Sequence, residues 1–284
     1  MSDVELEVLA TGPLVTVQDR GRPGHAHLGV PRSGALDAAA HALAQRLVGN
    51  EPGAAGLEVL MGGLTVRLDE DRWVAVTGAE VPLWLGDRAV PTGRALRLPA
   101  GTPLTLGTPL RGARSHLAVS GGLVVDPVLG SRSTDTLSGL GPPPVRTGDR
   151  LPVGAPAGVP AAVEVPPAPP DGPLRLHPGP RADWCDGDPV DLLVRGAWTC
   201  GPDSDRVGLR LEGGDLPRAR TDELASEGVL LGAVQLPPGG RPVVFLADHP
   251  TTGGYPVVAV VEPADLWRCA QLRPGDPVRF SRAW

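Results

Sequence analysis

Lysine is absent from this sequence, and all 26 basic residues are arginine. A chain without lysine cannot form a lysine Schiff base, hold pyridoxal phosphate on a lysine or build a Walker-type phosphate loop. Biotin is attached to its carrier through a lysine amide, so this chain also cannot carry biotin itself. These exclusions hold whatever the reason for the arginine bias.

Cysteine and closely spaced metal ligands are also scarce. The three cysteines, Cys185, Cys200 and Cys269, form no C-x-x-C pair and are odd in number. They therefore predict neither a zinc site nor a disulfide framework. The sequence has no G-x-S-x-G elbow, no H-E-x-x-H pair and no metal-spaced histidine pair. We predict no metal site and three ordinary buried or half-buried thiols.

Long apolar runs and basic blocks are missing too. No apolar stretch approaches the roughly 20 residues that cross a bilayer, and the acidic start of the chain has no apolar signal-peptide core. The formal net charge is -6, which argues against binding to a nucleic-acid backbone. These features predict a cytoplasmic protein that binds neither membrane nor nucleic acid.

Glycine and proline are abundant instead, with 39 and 34 residues. Runs rich in valine and leucine lie between them, which favours short strands joined by tight turns over disorder. Because the chain has only six Trp, two Phe and one Tyr, aliphatic side chains must fill the core. The spacing predicts a mainly β fold of closed or sandwich-like antiparallel sheets. Helices are predicted only near 37–48 and 263–272.

The two halves of the chain echo each other. Four pairs of short motifs recur in the same order: Leu6–Pro13 with Leu174–Pro180, Leu98–Leu104 with Leu236–Pro242, Ser120–Leu123 with Thr252–Tyr255, and Thr147–Leu151 with Pro274–Val278. Four matches in one order indicate a duplicated fold. The segment between the halves is rich in Pro and Ala, which favours an extended linker. We therefore predict lobes at 1–152 and 174–284, joined by a linker at 153–173.

The first candidate site lies where glycines and charged side chains crowd before the first predicted helix. A helix N-terminus offers free N–H groups to an anion, and an arginine can bind a carboxylate or phosphate through two hydrogen bonds. We predict that substrate is bound here by Gln18, Asp19, Arg20, Arg32 and Ser33. The alternative is that Asp19 and Arg20 only pin a loop.

The second candidate segment is Ser204–Gly213. Alternate side chains of an extended strand share one face, which would place Arg206, Arg210 and Glu212 together. Two arginines and a glutamate on one face suit either a bound anion or an internal ion-pair ladder. We predict that Arg206 and Arg210 bind substrate, with the ladder as the alternative.

Two further segments carry candidate catalytic groups. Glu227 precedes a predicted strand, where a lone glutamate is usually a solvated charge. The polar segment Ala247–Pro256 lies between two apolar strands, which favours a site over a simple hairpin. Its acid and imidazole can transfer protons, and its Thr-Gly-Gly turn can offer N–H groups to an oxyanion. The predicted catalytic residues are Asp248, His249, Glu227, Thr251, Thr252, Gly253 and Gly254, with Tyr255 in contact with substrate.

Several long motifs, taken in order, resemble those of one protein family. They are TVQDRGRPGHAHLGVPRSGALD, NEPGAAGLEVLMGG, SDRVGLRLEG, ELASEGVLLGAVQLPPGGRPVVFLADHPTTGGYP and CAQLRPGDPVRF. They are similar to the biotin-dependent carboxyltransferase family, which includes allophanate hydrolase subunit 2, KipA-like proteins and the C subunits of 5-oxoprolinases. The similarity extends over nearly the whole chain and is strongest toward the 5-oxoprolinase members.

The resemblance implies a fold, a reaction and partners. The fold would be two cyclophilin-like β-barrel lobes, in agreement with the internal repeat. The reaction would be ATP-driven opening of 5-oxoproline to glutamate, with the substrate carboxylate held by Arg20, Arg32, Arg206 or Arg210. ATP would bind at a shared or partner site. The partners would be a KipI-like protein, which is the B component of such complexes, and a third, LamB/YcsF-like protein, which is the A component.

Two departures from the family pattern bear on the substrate rather than on the family. Leu209 stands where the family often has tyrosine, and Pro250 stands where it often has glutamine. Two other functions therefore remain open. One is carboxyl transfer from carboxybiotin to urea or a related amide, with biotin supplied by another protein. The other is a non-enzymatic KipA-like regulator that binds a kinase inhibitor.

Overall fold

A computed structural model of the chain describes residues 4–161 and 172–283. The chain divides into two compact units. Unit 1 comprises Met1–Arg22, Ser33–Asp135 and Gly139–Ala168, and unit 2 comprises Pro23–Arg32, Thr136–Ser138 and Pro169–Trp284. Two short segments from the first half of the sequence therefore belong to the second unit. The internal repeat in the sequence did not predict this.

The predicted linker at 153–173 is described only at its two ends. Residues 153–161 are hydrogen-bonded to unit 1 at both ends. The Val153 N–H donates to the Val4 carbonyl (2.8 Å), and the Ala161 N–H donates to the Leu47 carbonyl (3.0 Å). Residues 162–171 lie outside the described residues. The boundaries at 152 and 174 stay predictions.

Unit 1 is built from two antiparallel sheets of short strands. The strands are β1 (Glu5–Ala10), β2 (Leu14–Gln18), β3 (Gly56–Leu60), β4 (Thr65–Leu68), β5 (Arg72–Glu80), β6 (Leu83–Leu85), β7 (Arg88–Val90), β8 (Leu96–Leu98), β9 (Leu104–Leu106), β10 (Arg111–Val119) and β11 (Arg150–Pro152). One sheet has the order β11-β1-β4-β9-β6-β7 and the other β2-β3-β10-β5-β8. Alternate side chains of each strand point to opposite faces, and the apolar ones from both sheets form one core. Its members include Leu6, Val15, Val59, Val66 and Leu104, each at most 1% exposed.

Helix α1 (Ala38–Leu47) agrees with the helix predicted at 37–48. Asp37 caps it, since its carboxylate accepts from the Ala40 N–H at 2.9 Å. Its apolar side packs Leu43 and Leu47 with Ala75 of β5 and Ala118 of β10. Because Ala75 and Ala118 alternate with core-facing neighbours, α1 covers the face of the five-stranded sheet that is turned away from the core.

Unit 2 contains one large sheet and one two-stranded sheet. Its strands are β12 (Leu174–Pro178), β13 (Trp198–Cys200), β14 (Gly208–Glu212), β15 (Glu227–Gly228), β16 (Ala233–Gln235), β17 (Val243–Phe245), β18 (Thr252–Gly253), β19 (Val257–Val261), β20 (Pro277–Val278) and β21 (Phe280–Arg282). The large sheet has the order β20-β13-β14-β17-β16-β19-β12-β21, and β15 pairs with β18. Only β12 and β21 pair in parallel among the described strands.

Helices are few in unit 2 as well. They are α2 (Pro189–Arg195), α3 (Leu266–Cys269) and the 3₁₀ turns Ala26–Leu28, Ala182–Trp184 and Pro263–Asp265. The α-helix predicted at 263–272 is shorter than expected and ends at Cys269. Beyond it the backbone forms a 3₁₀-type turn, in which the Ala270 N–H donates to the Trp267 carbonyl at 3.1 Å. The predicted mainly β class with few short helices is confirmed, and the structure contains a nearly closed barrel sheet.

The three cysteines are free and buried. Burial raises the pKa of the Cys269 thiol to about 12, so this thiol stays protonated and unreactive at neutral pH. Within residues 4–161 and 172–283, no helix has the length and apolar character to cross a membrane.

Candidate functional site

In unit 1 the loop after β2 is tied to the segment 131–133 by the Asp19 carboxylate. Its Oδ1 accepts from the Gly21 N–H (2.8 Å) and from the hydroxyls of Ser131 and Ser133 (both 2.6 Å), and its Oδ2 accepts from the Arg132 N–H (2.6 Å). Asp19 is 4% exposed. A carboxylate with four donors is an anchor for two loops, which agrees with the pinned-loop alternative for this residue.

Gln18 and Ser33 meet beside that anchor. The Gln18 Nε2 and the Ser33 Oγ both donate to the Thr134 carbonyl, each at 2.9 Å. Ser33 has a left-handed backbone (φ 53°), which is uncommon outside glycine and is often held in place at functional sites. The Gln18 Oε1 and the Thr134 Oγ1 are buried without a hydrogen-bond partner among the described residues. This part of unit 1 can therefore accept an N–H from a ligand or a water molecule.

Arg20 and Arg32 are exposed. Neither makes a hydrogen bond or an ion pair with any residue that the structure describes. Their guanidinium groups are therefore available to an anion, which is what binding a substrate carboxylate requires.

A buried polar row crosses the five-stranded sheet of unit 1, and sequence reasoning missed it. In register across four strands lie Thr16, Glu58, His116 and Thr77. The Glu58 Oε2 accepts from the Leu36 N–H at 2.8 Å and lies 4.0 Å from the His116 Nε2. The available signal was a single acid inside the otherwise apolar run Leu57–Leu60.

His41 of α1 lies against this row. Its ring meets the His116 ring edge-on at 5.7 Å. Burial lowers the pKa of His41, opposed by the charges of Asp19 and Glu58 and assisted by that of Arg20, so the imidazole is neutral at neutral pH. Among the described residues its Nε2 has no hydrogen-bond partner. The clue was a histidine on the buried face of a helix whose other buried residues are mostly apolar.

In unit 2 the structure brings two predicted site residues together as a pair. Arg206 and Asp248 form a two-pronged ion pair, Nε to Oδ2 and Nη2 to Oδ1, both at 2.9 Å. The Thr136 N–H and hydroxyl also donate to the Asp248 Oδ2, at 2.9 and 2.8 Å. Arg206 is 2% exposed and Asp248 0%. Because each charge is neutralised by the other, the geometry suits an ion pair that positions the loops on which the two residues lie.

The second arginine of that segment lies in a different environment. The extended segment expected over 204–212 begins only at Gly208, so Arg206 precedes the strand. Arg210 lies within it, is exposed, and donates from Nε to the Asp203 carbonyl at 3.1 Å. The single shared face expected for the two arginines is therefore not formed, and Arg210 remains open to an anion.

His249 is buried and held by its neighbours. Its Nδ1 donates to the Pro250 carbonyl at 2.7 Å, and its ring stacks on Phe245 with centroids 5.8 Å apart. This hydrogen bond sets the ring orientation and, in the neutral form, places the proton on Nδ1. An imidazole held in one orientation by these contacts suits proton transfer.

The third and fourth candidate segments form a common structure. Strand β15 pairs with β18, so that Glu227 faces Gly253 and Gly228 faces Thr252. The Val229 N–H extends the pairing to the Thr251 carbonyl at 3.0 Å. The lone glutamate and the Thr-Thr-Gly-Gly turn thus belong to one two-stranded ribbon, which sequence alone did not predict.

Two residues that the sequence did not single out hold this ribbon. Arg181 binds the Glu227 carboxylate with both prongs of its guanidinium, Nε to Oε2 at 3.0 Å. The Gln235 Nε2 donates to the Tyr255 carbonyl at 3.0 Å and lies only 2.6 Å from where a Cβ on Gly253 would be. A side chain at position 253 would therefore force the Gln235 amide to move.

The turn itself is open. Thr252 is exposed, and Tyr255 is 46% exposed. The Gly254 N–H makes no hydrogen bond with any described residue, so it can donate to an oxygen that gains charge during a reaction. Among residues 4–161 and 172–283, no group of His, Cys, Asp and Glu side chains is arranged to hold a metal ion.

Glu227 should titrate at lower pH than a free glutamate. Its hydrogen bond from Arg181 holds the pKa of Glu227 below the ordinary 4.5, so the carboxylate favours the folded state above that pH and loses this contribution as the pH falls through the lowered pKa. Carboxyl ¹³C NMR should give a midpoint below 4.5 that returns toward 4.5 in Arg181→Gln. An unchanged midpoint in that variant would show that the ion pair is not formed in solution.

Comparison with known proteins gives one consistent result. Residues 28–282 match the family model described as carboxyltransferase domain, subdomain A and B. The C subunit of the Escherichia coli K12 5-oxoprolinase is 41% identical over 285 residues, which covers 97% of this chain and 90% of the relative.

Two solved structures show the same fold. The crystal structure of TTHA0988 superposes with a TM-score of 0.88 at 39% identity and covers 98% of this chain, which spans about half of that protein (56%). The K. lactis urea amidolyase superposes with a TM-score of 0.90 at 29% identity, covering 99% of this chain and 19% of that much longer protein.

Proposed function

The chain belongs to the family described as carboxyltransferase domain, subdomain A and B, and we propose that it is the C subunit of a 5-oxoprolinase complex. That complex would use ATP to open 5-oxoproline, a cyclic amide, to glutamate. The observation that carries the proposal is the 41% identity to the C subunit of the Escherichia coli 5-oxoprolinase over nearly the full length of both chains. The urea amidolyases match over a small part of their own length, which makes them weaker guides to the reaction.

The chemistry asks for three kinds of group. A lactam carbonyl is a poor electrophile, and ATP would supply the phosphoryl group that activates its oxygen, leaving ADP. Water would then attack the carbonyl carbon and the ring C–N bond would break, and a second water would hydrolyse the resulting acyl phosphate to glutamate and phosphate. The substrate carboxylate needs a free guanidinium, the carbonyl oxygen needs N–H donors as it gains charge, and the ring nitrogen needs a proton when the C–N bond breaks.

Unit 2 offers each of these groups. Arg32 and Arg210 are exposed guanidinium groups for a carboxylate. The Gly254 N–H, next to the ribbon, and the hydroxyl of the exposed Thr252 can act as donors to an oxyanion. His249, whose ring is held by Pro250 and Phe245, can transfer a proton. Glu227, held ionised by Arg181, can act as a base but not as an acid at neutral pH.

The remaining predicted residues have supporting roles in this proposal. Arg206 and Asp248 position the loops that they join, since they bind each other in a buried pair. In unit 1, Asp19 fixes the loop that carries Arg20, an exposed guanidinium, and Gln18, whose buried carbonyl oxygen has no partner among the described residues.

The activity would need the other components of the complex. We propose a KipI-like protein as the direct partner, a LamB/YcsF-like protein as the third component, and a cytoplasmic location for the complex. The test is to purify the chain with all co-encoded subunits and to measure glutamate and phosphate release from 5-oxoproline and ATP. We expect release only from the complete complex, and its absence there would refute the proposal.

A second candidate function has a specific observation in its favour. The match to urea amidolyase, with a TM-score of 0.90, favours transfer of a carboxyl group to urea or a related amide. Because this chain has no lysine, carboxybiotin would have to arrive on another protein. Avidin separates the two functions, because it would stop carboxyl transfer but leave 5-oxoproline opening unchanged.

A further inference from the structure

Unit 1 has a groove of about 550 Å³ whose residues play no part in the sites described above. It is lined by residues of the edge strands β7 and β8, by Trp73 of β5, by Leu85 of β6 and by residues 159–161. Ligand pockets for small molecules have volumes of roughly 300–1,000 Å³, so the groove is large enough for a molecule the size of a nucleotide.

An exposed indole forms one part of this groove. Trp73 is 40% exposed and lies directly opposite Arg97 in the pairing of β5 with β8. Side chains at opposite positions of neighbouring strands stand on the same face and in contact range. The backbone is held in place, since Trp73 and Ser120 are hydrogen-bonded in both directions (Trp73 N–H to Ser120 Oγ, 3.2 Å). The result is an exposed aromatic ring on an anchored backbone, beside a guanidinium.

The charge of the groove is positive. The side chains of Arg88 and Arg94 make no ion pair or hydrogen bond with any described residue. Arg97 pairs with Asp71 at 2.8 Å, but both side chains are largely exposed, and such a pair is weak enough to give way to a ligand. No acidic side chain is among the described residues that line the groove.

A flat ring and a multiply charged anion are the chemistry that this arrangement recognises. Guanidinium groups bind phosphate oxygens through paired hydrogen bonds, and a base stacks on an indole. In a chain without lysine, arginine is the side chain that supplies a permanent positive charge to a polyphosphate. We propose that the groove binds a nucleoside triphosphate, with its base on Trp73 and its phosphates on Arg88, Arg94 and Arg97. The choice of a nucleotide rests on the proposed ATP-driven reaction, whereas the anion site rests on the geometry.

Calorimetric titration of the purified chain tests this at low ionic strength, with and without Mg²⁺. The ligands are ATP, inorganic tripolyphosphate and adenosine, and we expect ATP to bind most tightly. Trp73→Ala should weaken ATP binding by about tenfold and leave the affinity for tripolyphosphate unchanged. The double variant Arg88→Ala with Arg94→Ala should weaken the binding of both ATP and tripolyphosphate by about tenfold or more.

The matched control is Arg111→Ala, which removes another exposed arginine of unit 1 that has no ion pair in the described residues. It should bind ATP like the unchanged chain. All variants alter exposed side chains, and circular dichroism with thermal melting confirms that each is folded.

Three results would overturn the proposal. The first is no saturable ATP binding, or binding that the groove variants leave unchanged. The second is tripolyphosphate binding as tight as ATP with no effect of Trp73→Ala, which would define an anion patch. The third is loss of a co-purifying protein in the arginine variant without any ATP binding, which would make the groove a partner surface.

The proposed function and this inference fail separately. If the complete complex with the arginine variant releases glutamate with an unchanged KM for ATP, only the proposal that ATP binds in the groove is refuted. ATP binding that depends on the groove, in a complex that releases no glutamate, would refute the 5-oxoprolinase reaction alone.

Discussion

Replacing Asp248 by asparagine should lower the free energy of unfolding by about 3–5 kcal/mol. The substitution keeps the shape of the side chain but leaves the Arg206 guanidinium buried without its counter-charge, and Arg206 is only 2% exposed. A buried charge that loses its partner cannot recover the cost of leaving water. Urea denaturation followed by circular dichroism measures the loss.

The matched control is Asp215→Asn, because the Asp215–Arg241 pair is 4.0 Å long and both side chains are about 70% exposed. Its effect should stay within about 0.5 kcal/mol. Combining Arg206→Met with Asp248→Leu removes both charges and should recover part of the loss. A loss below about 1 kcal/mol in Asp248→Asn would contradict the buried pair.

The same variant separates two roles for Asp248 in the proposed reaction. If the pair only positions its loops, glutamate release by the complete complex falls while the shape of its pH profile is unchanged. If Asp248 itself carries a proton, one limb of the profile disappears. The contacts to Arg206 and Thr136 lead us to expect the first result.

Replacing Asp19 by alanine should cost about 3–4 kcal/mol of unfolding free energy, because four donors lose their acceptor at once and each buried donor left without a partner costs about 1–3 kcal/mol. Water that enters the space offsets part of this cost. Because Asp19 joins the loop after β2 to the segment 131–133, the change should also disorder the surroundings of Gln18. Chemical denaturation measures the first effect, and amide hydrogen exchange measures the second.

Asp126→Ala serves as the control for this change, since Asp126 is an exposed acid of the same unit. It should alter stability by no more than about 0.5 kcal/mol. Hydrogen exchange that is equally fast in both variants near residues 131–134 would show that Asp19 is not the anchor of the loop.

The sequence was informative about elements and about where polar residues gather. The spacing of apolar residues predicted α1 almost to its bounds, because an amphipathic helix with an aspartate cap depends on neighbours within a few positions. The turn at Thr251–Gly254 was recognisable because so much polarity lies between two apolar strands.

The contacts made by those polar residues were not predictable in the same way. Arg206 and Asp248 are 42 positions apart, and Glu227 binds Arg181 from 46 positions away. The row of Thr16, Glu58, His116 and Thr77 exists only because four strands are aligned in register. A strand slipped by one residue would have turned the same side chains to the opposite face.

By itself, the sequence determined the family, the mainly β class and the exclusion of lysine chemistry, because these depend on residue identity and local spacing. Only the tertiary structure decided which charged side chains form ion pairs with each other and which remain available to a ligand. The reason is physical: the strength of a charge pair depends on distance and burial, and both are set by how strands from distant parts of the chain are brought together.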